Sequence, residues 1–201
     1  DLTLVGAGPS ATTLDALGRG TSVIIGNGVR ATLSGLTIRN GRSPANEPGG
    51  AIKNLGQLRL QNCELTNNLA DIGGGIANLQ IARVFTCKIR NNSAADAGGG
   101  VFNAAGAELE ITDSTIAENV ASLGGGLFNA GRIVVTNSTV SANRAVGTFD
   151  NGLGYGGGIY SIGNTGWLVN CTISGNQAAV PPLSSSGGVG GGVYAPEGAL
   201  E

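Results

Sequence analysis

Short segments in which apolar and polar residues alternate recur along the whole chain. In one copy, Leu109 and Ile111 flank a polar residue, and Ile116 follows after a break in the alternation. A period of two predicts β-strands with one buried face, and the break predicts a bend. Six copies are present: ATLSGLTIRNG (31–41), LRLQNCELTNN (58–68), RVFTCKIRNN (83–92), LEITDSTIAEN (109–119), VVTNSTVSAN (134–143) and LVNCTISGN (168–176).

The bend in most copies falls on a residue type that tolerates a left-handed backbone. Asn, Asp and Gly adopt positive φ angles with less strain than other residues, and Thr86 is the exception. The predicted corners are Gly35, Asn62, Thr86, Asp113, Asn137 and Asn170. The second residue after each corner is predicted to face solvent, and the third, which is always aliphatic, is predicted to face the core.

A column of asparagines follows the bends. Six residues after the corner comes Gly41 in the first copy and an asparagine in every other copy. Amide side chains that stack in register, one coil apart, hydrogen-bond to one another. We therefore predict an Asn ladder formed by Asn68, Asn92, Asn119, Asn143 and Asn176.

A glycine-rich hexapeptide separates these segments. A unit this short cannot bury its own apolar face, so its copies must stack on one another. Segment and hexapeptide together hold about three short parallel strands, which predicts an all-β fold, a single-stranded parallel β-helix (solenoid) of about seven coils. The copies are GGAIKN (49–54), GGGIAN (73–78), GGGVFN (98–103), GGGLFN (124–129), GGGIYS (156–161) and GGGVYA (190–195), with first glycines 24, 25, 26, 32 and 34 residues apart.

The repeats are expected to form one domain over residues 1–201. Three stretches lengthen the chain between the Asn column and the next glycine triplet, and they are predicted to be loop insertions on one edge of the solenoid. They lie at 42–48, 144–155 and 177–189.

The combined repeat, such as NSTVSAN (137–143) followed by GGGIYS (156–161), resembles secreted bacterial right-handed parallel β-helix repeat proteins. It is also similar to the GGA(I/V/L) and FxxN repeats of polymorphic outer-membrane proteins, through GGAI (49–52) and the spacing of Ile173 and Asn176. The resemblance covers nearly the whole chain. It implies a right-handed coil and an extracellular or cell-surface location, and it does not imply one activity.

The composition fits a tightly wound repeat protein. The 201 residues include 37 Gly and no Met, with 4% aromatic and 12% charged residues, which is unlike an ordinary globular domain. The absence of Met at residue 1 predicts a processed or truncated chain. The net charge of −2 and the lack of a basic stripe argue against a nucleic-acid partner, and no apolar run is long enough to span a membrane.

The three cysteines, Cys63, Cys87 and Cys171, occupy the position directly after a corner. Cys63 and Cys87 belong to successive copies and are expected about 4.8 Å apart, near the short end of disulfide reach. Other copies have Leu or Ser there, so we predict buried free thiols, with a Cys63–Cys87 bridge as the alternative. Zinc is not expected, because the chain has neither His nor a CxxC motif.

Carboxylates recur two residues before the glycine triplets. Glu47, Asp71 and Asp96 are predicted to stack on adjacent coils, and Ca²⁺ is a cation that binds such oxygen ligands. They are a weak candidate for a metal site. The favoured alternative is a solvated turn without a bound ion, and no cofactor is otherwise expected.

The hexapeptides also predict an outer aromatic ladder. Strand alternation points the fifth residue of each hexapeptide away from the core, and in four copies this residue is aromatic: Phe102, Phe128, Tyr160 and Tyr194. Three roles remain open for it. The ladder stabilises its own sheet, packs laterally against a neighbouring filament, or forms a platform for surface glycans.

The charged residues predict no catalytic centre. The chain has no His and only two Lys, and Arg59 and Arg83 precede Glu110 in one column that is typical of a solvated face. Hydrolases and lyases need a convergent acid, base or charge clamp. We therefore expect no enzymatic activity, with a polysaccharide lyase as the less favoured alternative.

The two ends of the chain predict how it assembles. DLTL (1–4) aligns with GLTI (35–38), which places Asp1 at a corner, and the next corner is projected two residues beyond Glu201. The chain then holds a near-integral number of coils without atypical caps. We predict a filament or sheath subunit that stacks head to tail on copies of itself. The alternative is a fragment of a larger cell-surface adhesin or glycan-binding β-helix.

Overall fold

Each strand pairs in parallel with the strand one coil before or after it. The computed structural model describes residues 1–147, 152–163, 165–179 and 188–196. Within these ranges the chain winds through four parallel sheets, which confirms the predicted all-β parallel β-helix. Parts of the insertions at 144–155 and 177–189, and the end of the chain at Glu201, lie outside the described residues.

Sheets A and B lie on either side of the predicted corners. In the described residues sheet A has seven strands, Leu2–Val5, Arg30–Ser34, Gln57–Gln61, Ile81–Phe85, Glu108–Thr112, Arg132–Thr136 and Thr165–Val169. Sheet B also has seven, Thr13–Asp15, Thr37–Arg39, Glu64–Thr66, Lys88–Arg90, Thr115–Ala117, Thr139–Ser141 and Thr172–Ser174. The predicted corners therefore separate two sheets along the whole molecule.

Sheet C is built mainly by the hexapeptides. Its described strands are Val23–Ile25, Ile52–Asn54, Ile76–Asn78, Val101–Asn103, Leu127–Asn129, Ile159–Ser161 and Val193–Tyr194. Each glycine triplet turns the chain into a strand of this sheet. The aliphatic residue after the triplet faces the core, as in Ile76 and Leu127, both fully buried.

Sheet D adds a fourth strand to a coil, whereas the sequence predicted about three strands per coil. Its described strands are Leu69–Ile72, Ser93–Ala97, Val120–Ala121, Arg144–Ala145 and Gln177–Ala178. Alanine occupies the inward position of this sheet, so the apolar alternation that indicates a strand is weak here. The pairing is also irregular, because the register shifts between Ala94 and Ala97.

The core is a narrow column of stacked aliphatic side chains. Leu60, Val84 and Ile111 of sheet A pair in register and are fully buried. The third residue after each corner belongs to the same core, and Ile89 and Ile116 are fully buried. Each such side chain contributes about 1.5–3 kcal/mol of hydrophobic free energy on burial. The inward half of the period-two pattern thus builds the core.

All six predicted corners have positive φ, between 48° and 65°, and Thr86 is among them with 53°. A second set of left-handed residues, five positions after the corners, turns the chain out of sheet B. Sequence patterns did not indicate it, since Glu and Ala occupy two of its positions. The set comprises Asn40, Asn67, Asn91, Glu118, Ala142 and Gly175, with φ of 54°, 57°, 54°, 58°, 53° and 63°.

The predicted register of the first coil is wrong. Leu2 pairs with Ala31 and Val5 pairs with Ser34, so Gly6, and not Asp1, lies beside the corner at Gly35. DLTL (1–4) resembles GLTI (35–38), but the sequence does not distinguish the predicted register from the observed one, because both place leucines on the inward face. The inferred corner at Asp1, and the near-integral number of coils derived from it, therefore do not hold.

The first and second positions of a glycine triplet require glycine for different structural reasons. Gly98 has a φ of +65°, in the left-handed region that glycine enters without a Cβ clash. Gly99 has an ordinary φ, but a Cβ on it would lie 2.4 Å from the carbonyl oxygens of Val120 and Gly125. The triplet thus combines a left-handed turn with close approach of successive coils.

Candidate functional site

The Asn ladder runs through the core as a continuous chain of amide hydrogen bonds. The side-chain amide of Asn92 donates to Oδ1 of Asn119 at 3.1 Å, and that of Asn119 donates to Oδ1 of Asn143 at 2.9 Å. The same ladder joins Asn68 to Asn92 and Asn143 to Asn176, each at 2.9 Å. These amides are buried or nearly so, so the ladder supports the turn and is not available to a ligand.

A second amide ladder was not predicted, although its signal is the last residue of the hexapeptide. Asn78 donates to Asn103 at 2.8 Å, and Asn103 donates to Asn129 at 2.7 Å. Asn54 precedes them, and Ser161 accepts from Asn129 at 3.0 Å. All these side chains are fully buried, so both polar columns hold the coils together from inside.

The predicted aromatic ladder is a stack on the outer side of sheet C. Phe102 and Phe128 lie parallel with ring centroids 5.2 Å apart, and Phe128 meets Tyr160 edge-on at 5.1 Å. Tyr160 and Tyr194 follow at 5.2 Å. Tyr155, which the sequence did not indicate, lies 6.0 Å from Tyr160 and 5.0 Å from Tyr194.

The rings cover one another more than they face solvent. Phe128 is only 8% exposed, and Tyr160 is half-buried. Burial and the neighbouring phenols of Tyr194 and Tyr155 raise the pKa of Tyr160. Phe128 and Tyr160 each have aromatic neighbours on both sides along the column, so their faces are not free for stacking with a sugar. This geometry favours the self-stabilising role.

The three carboxylates proposed for Ca²⁺, Glu47, Asp71 and Asp96, line one and the same pocket, but they do not form a group that could hold a metal ion. Glu47 forms an ion pair with Lys53, and Asp71 accepts a hydrogen bond from the backbone N–H of Asn46. Across the described residues, no group of three Asp, Glu, Cys or His side chains is arranged to hold a metal ion. The structure does not support the metal candidate at Glu47, Asp71 and Asp96.

The outer face of sheet A carries arginine–glutamate ion pairs between neighbouring strands. Arg83 lies 3.3 Å from Glu110, and Arg132 lies 4.0 Å from Glu108. Arg132 also covers the ring of Trp167 at 5.5 Å. These pairs are about half-exposed, and such pairs contribute only about 0–1 kcal/mol each. The cations and anions neutralise one another and leave a shallow, open groove between them.

Comparison with known protein families gives one match. A family model described as a right-handed β-helix region covers residues 17–144. The chain belongs to the right-handed β-helix family. Comparisons with curated proteins and with solved structures return no match. This match concerns the right-handed β-helix alone, so the narrower similarity of this β-helix to polymorphic outer-membrane repeats stays a hypothesis.

The cysteine column of the β-helix contains free thiols. Cys63 and Cys87 are buried and Cys171 is half-buried. The Sγ of Cys87 accepts a hydrogen bond from the backbone N–H of Cys63 at 3.4 Å. One coil further on, the N–H of Cys87 donates to Oγ of Ser114 at 3.0 Å. The column is therefore a ladder in which thiol and hydroxyl are interchangeable.

In the described part of this β-helix, no helix has the length and apolar character needed to cross a membrane.

Proposed function

We propose that this β-helix is a non-enzymatic structural protein of the cell surface or extracellular space, which assembles head to tail by stacking of its terminal coils. The product is a filament or sheath. The supporting observation is that core columns end in incompletely buried aliphatic side chains at both end coils of the described solenoid, although Ile25 of the first coil is buried.

At the first coil, core residues are uncovered on one side. Leu2 and Leu4 occupy the inward columns above Ala31 and Leu33 but are 52% and 37% exposed. Their strand is the edge of sheet A in the described residues. An open parallel edge with inward-facing leucines is a template for one more coil.

At the opposite end, the last members of these columns among the described residues are aliphatic side chains that are only partly buried. These are Leu168 in sheet A, Ile173 in sheet B and Val193 in sheet C, all packed against the core from one side. The two end coils differ in sequence, and in the described residues both present aliphatic side chains in line with the core. A contact between unlike ends repeats without closing, which is the geometry of a filament.

The covering coil belongs either to a second copy or to a longer surface protein that contains this chain, as in the adhesin alternative. Self-association is the version proposed here, with other filaments as lateral partners. Mutual pairing of charges, as between Arg83 and Glu110, supports a role without catalysis. The net charge of −2 gives no basis for a nucleic-acid partner. No cofactor is proposed.

The test is end-to-end growth of the purified chain. Sedimentation velocity and negative-stain microscopy should show rods that lengthen with concentration. Leu4→Asp places a charge in the open column and should abolish this growth. Leu69→Asp is the matched control, because Leu69 has the same exposed fraction of 37% but lies in sheet D away from both ends.

Two results would contradict the proposal. One is a wild-type chain that stays a single short rod at all concentrations, which would leave the longer surface protein as the source of the covering coil. The other is growth that Leu69→Asp abolishes as completely as Leu4→Asp does, which would place the contact on the side of the solenoid.

A further inference from the structure

The residues directly after the corners form a column in which two thiols are adjacent. Gln61 pairs with Phe85 and Glu64 pairs with Lys88, so Cys63 and Cys87 lie in register between them. Parallel strands are about 4.8 Å apart, which is within the Cα separation that a disulfide spans. The Sγ of Cys87 already points towards the neighbouring coil, since it accepts from the N–H of Cys63.

We propose that Cys63 and Cys87 are an oxidation site, at which a disulfide joins two successive coils of the solenoid. The third thiol is excluded by distance. Ser114 and Ser138 separate Cys87 from Cys171 in the column, a gap of three coils or about 14 Å. Disulfide formation is therefore selective for one pair of the three cysteines. This inference is independent of the proposed assembly.

The pair also has suitable reactivity. A hydrogen bond from the Cys87 thiol lowers the pKa of Cys63 to about 7, although burial acts in the opposite direction. The same interaction, together with burial, raises the pKa of Cys87. Cys63 is therefore the more acidic thiol of the pair, and the thiolate is the nucleophile in thiol oxidation.

The oxidant in this proposal is hydrogen peroxide. Because the side chains of Cys63 and Cys87 are only 2% and 1% exposed, the reaction proceeds through local opening of their coils. The Cys63 thiolate attacks one peroxide oxygen, the O–O bond breaks, and a sulfenic acid and hydroxide form. The hydroxide takes up the proton that the Cys63 thiol released on ionisation and becomes the first water. The Cys87 sulfur then attacks the Cys63 sulfur, the S–O bond breaks, and the hydroxyl leaves with the Cys87 proton as a second water. Two thiols and one hydrogen peroxide give one disulfide and two waters.

The experiment treats the full chain with hydrogen peroxide, then counts free thiols after denaturation and maps peptides by mass spectrometry. Free thiols should fall from three to one, with the remaining thiol at Cys171 and a Cys63–Cys87 peptide that has lost two hydrogens. Cys63→Ser and Cys87→Ser should each keep two thiols. Serine is accepted in this column at Ser114 and Ser138, so both variants are expected to fold.

Cys171→Ser is the matched control and should still form the bridge. The oxidised wild type should have a higher denaturant midpoint than the reduced protein, and Cys87→Ser should show no such difference. A bridge that involves Cys171, separate sulfinic acids at Cys63 and Cys87, or three thiols that survive peroxide would each overturn the proposal.

Discussion

At the scale of single residues, the solenoid depends on positions where the backbone is left-handed. Two such positions in each coil separate sheet B from its neighbours, and most are Asn, Asp or Gly. L-residues with larger side chains pay about 1–2 kcal/mol there, because Cβ approaches the following carbonyl oxygen. Thr86, with φ of 53°, is β-branched and is the least suitable of the corners, as the sequence indicated. The strain at Thr86 is thus a local cost within a favourable column.

Replacement of this residue is expected to stabilise the protein. Thr86→Asn should raise the free energy of unfolding by about 1 kcal/mol, since Asn tolerates the left-handed region. The hydrogen bond from the Thr86 N–H to the Thr112 carbonyl is retained. Denaturant unfolding followed by circular dichroism measures the difference.

The control for this variant is Thr112→Asn, one coil further on in a strand with extended backbone. That change should alter the free energy of unfolding by no more than about 0.5 kcal/mol. An equal gain from both variants would show that the benefit does not come from relief of the corner.

At the scale of strands and turns, sequence patterns located sheets A, B and C but missed sheet D. The difference lies in side-chain size. Leu109 and Ile111 give a clear alternation, whereas the inward residues of sheet D are alanines such as Ala121 and Ala145. Its later strands are also only two residues long. Alternation needs several large apolar side chains to be detected.

The candidate site shows the same limit. Asparagine repetition predicted one buried amide ladder, because the residues recur at a fixed distance from the corners. Asn78 and Asn103 also recur, but hydrogen bonding across coils depends on the inward orientation of the last hexapeptide residue. Tyr155 joins the aromatic ladder from the turn before a glycine triplet. Such contacts follow from the path of the chain between strands, which residue spacing does not specify.

The requirement for glycine in the triplets can be tested directly by substitution. Gly99→Ala should lower the free energy of unfolding by about 3 kcal/mol, because the added Cβ meets two carbonyl oxygens at 2.4 Å. Since φ is not positive there, the loss would come from steric overlap alone. Urea unfolding monitored by circular dichroism gives the value.

Gly106→Ala is the comparison variant for this experiment. Gly106 has φ of +77° and open space around it. The Gly106→Ala variant should therefore lower the free energy of unfolding by only about 1 kcal/mol, through backbone strain. If Gly106→Ala were as damaging as Gly99→Ala, close packing of the coils would not be the reason for the triplet.

At the scale of the whole molecule, the strands of the described residues pair with strands of the coil before and the coil after. Stability is therefore approximately a sum of neighbouring interfaces. This also explains why the phase of the first coil was mispredicted. DLTL (1–4) is too short to distinguish two registers that both bury leucines, and only its pairing with Ala31 and Ser34 decides between them.

A one-dimensional array predicts a gradient of local stability along the solenoid. Amide hydrogens of middle strands, such as Glu108–Thr112, have paired coils on both sides. Those of Leu2–Val5 have a paired coil on one side only in the described residues. Local opening should therefore be easiest at the end coils. Hydrogen exchange with mass spectrometry, at a concentration low enough to keep single rods, should show the slowest exchange in the middle.

The same measurement at high concentration links this gradient to the proposed stacking. A coil that becomes covered gains the neighbour it lacked, so exchange in Leu2–Val5 should slow while exchange in Glu108–Thr112 stays unchanged. Leu4→Asp should remove this dependence on concentration, and Leu69→Asp should preserve it. Uniform exchange along the solenoid, or a middle coil that opens first, would contradict the nearest-neighbour description, because it would mean that stability is not a sum of coil interfaces.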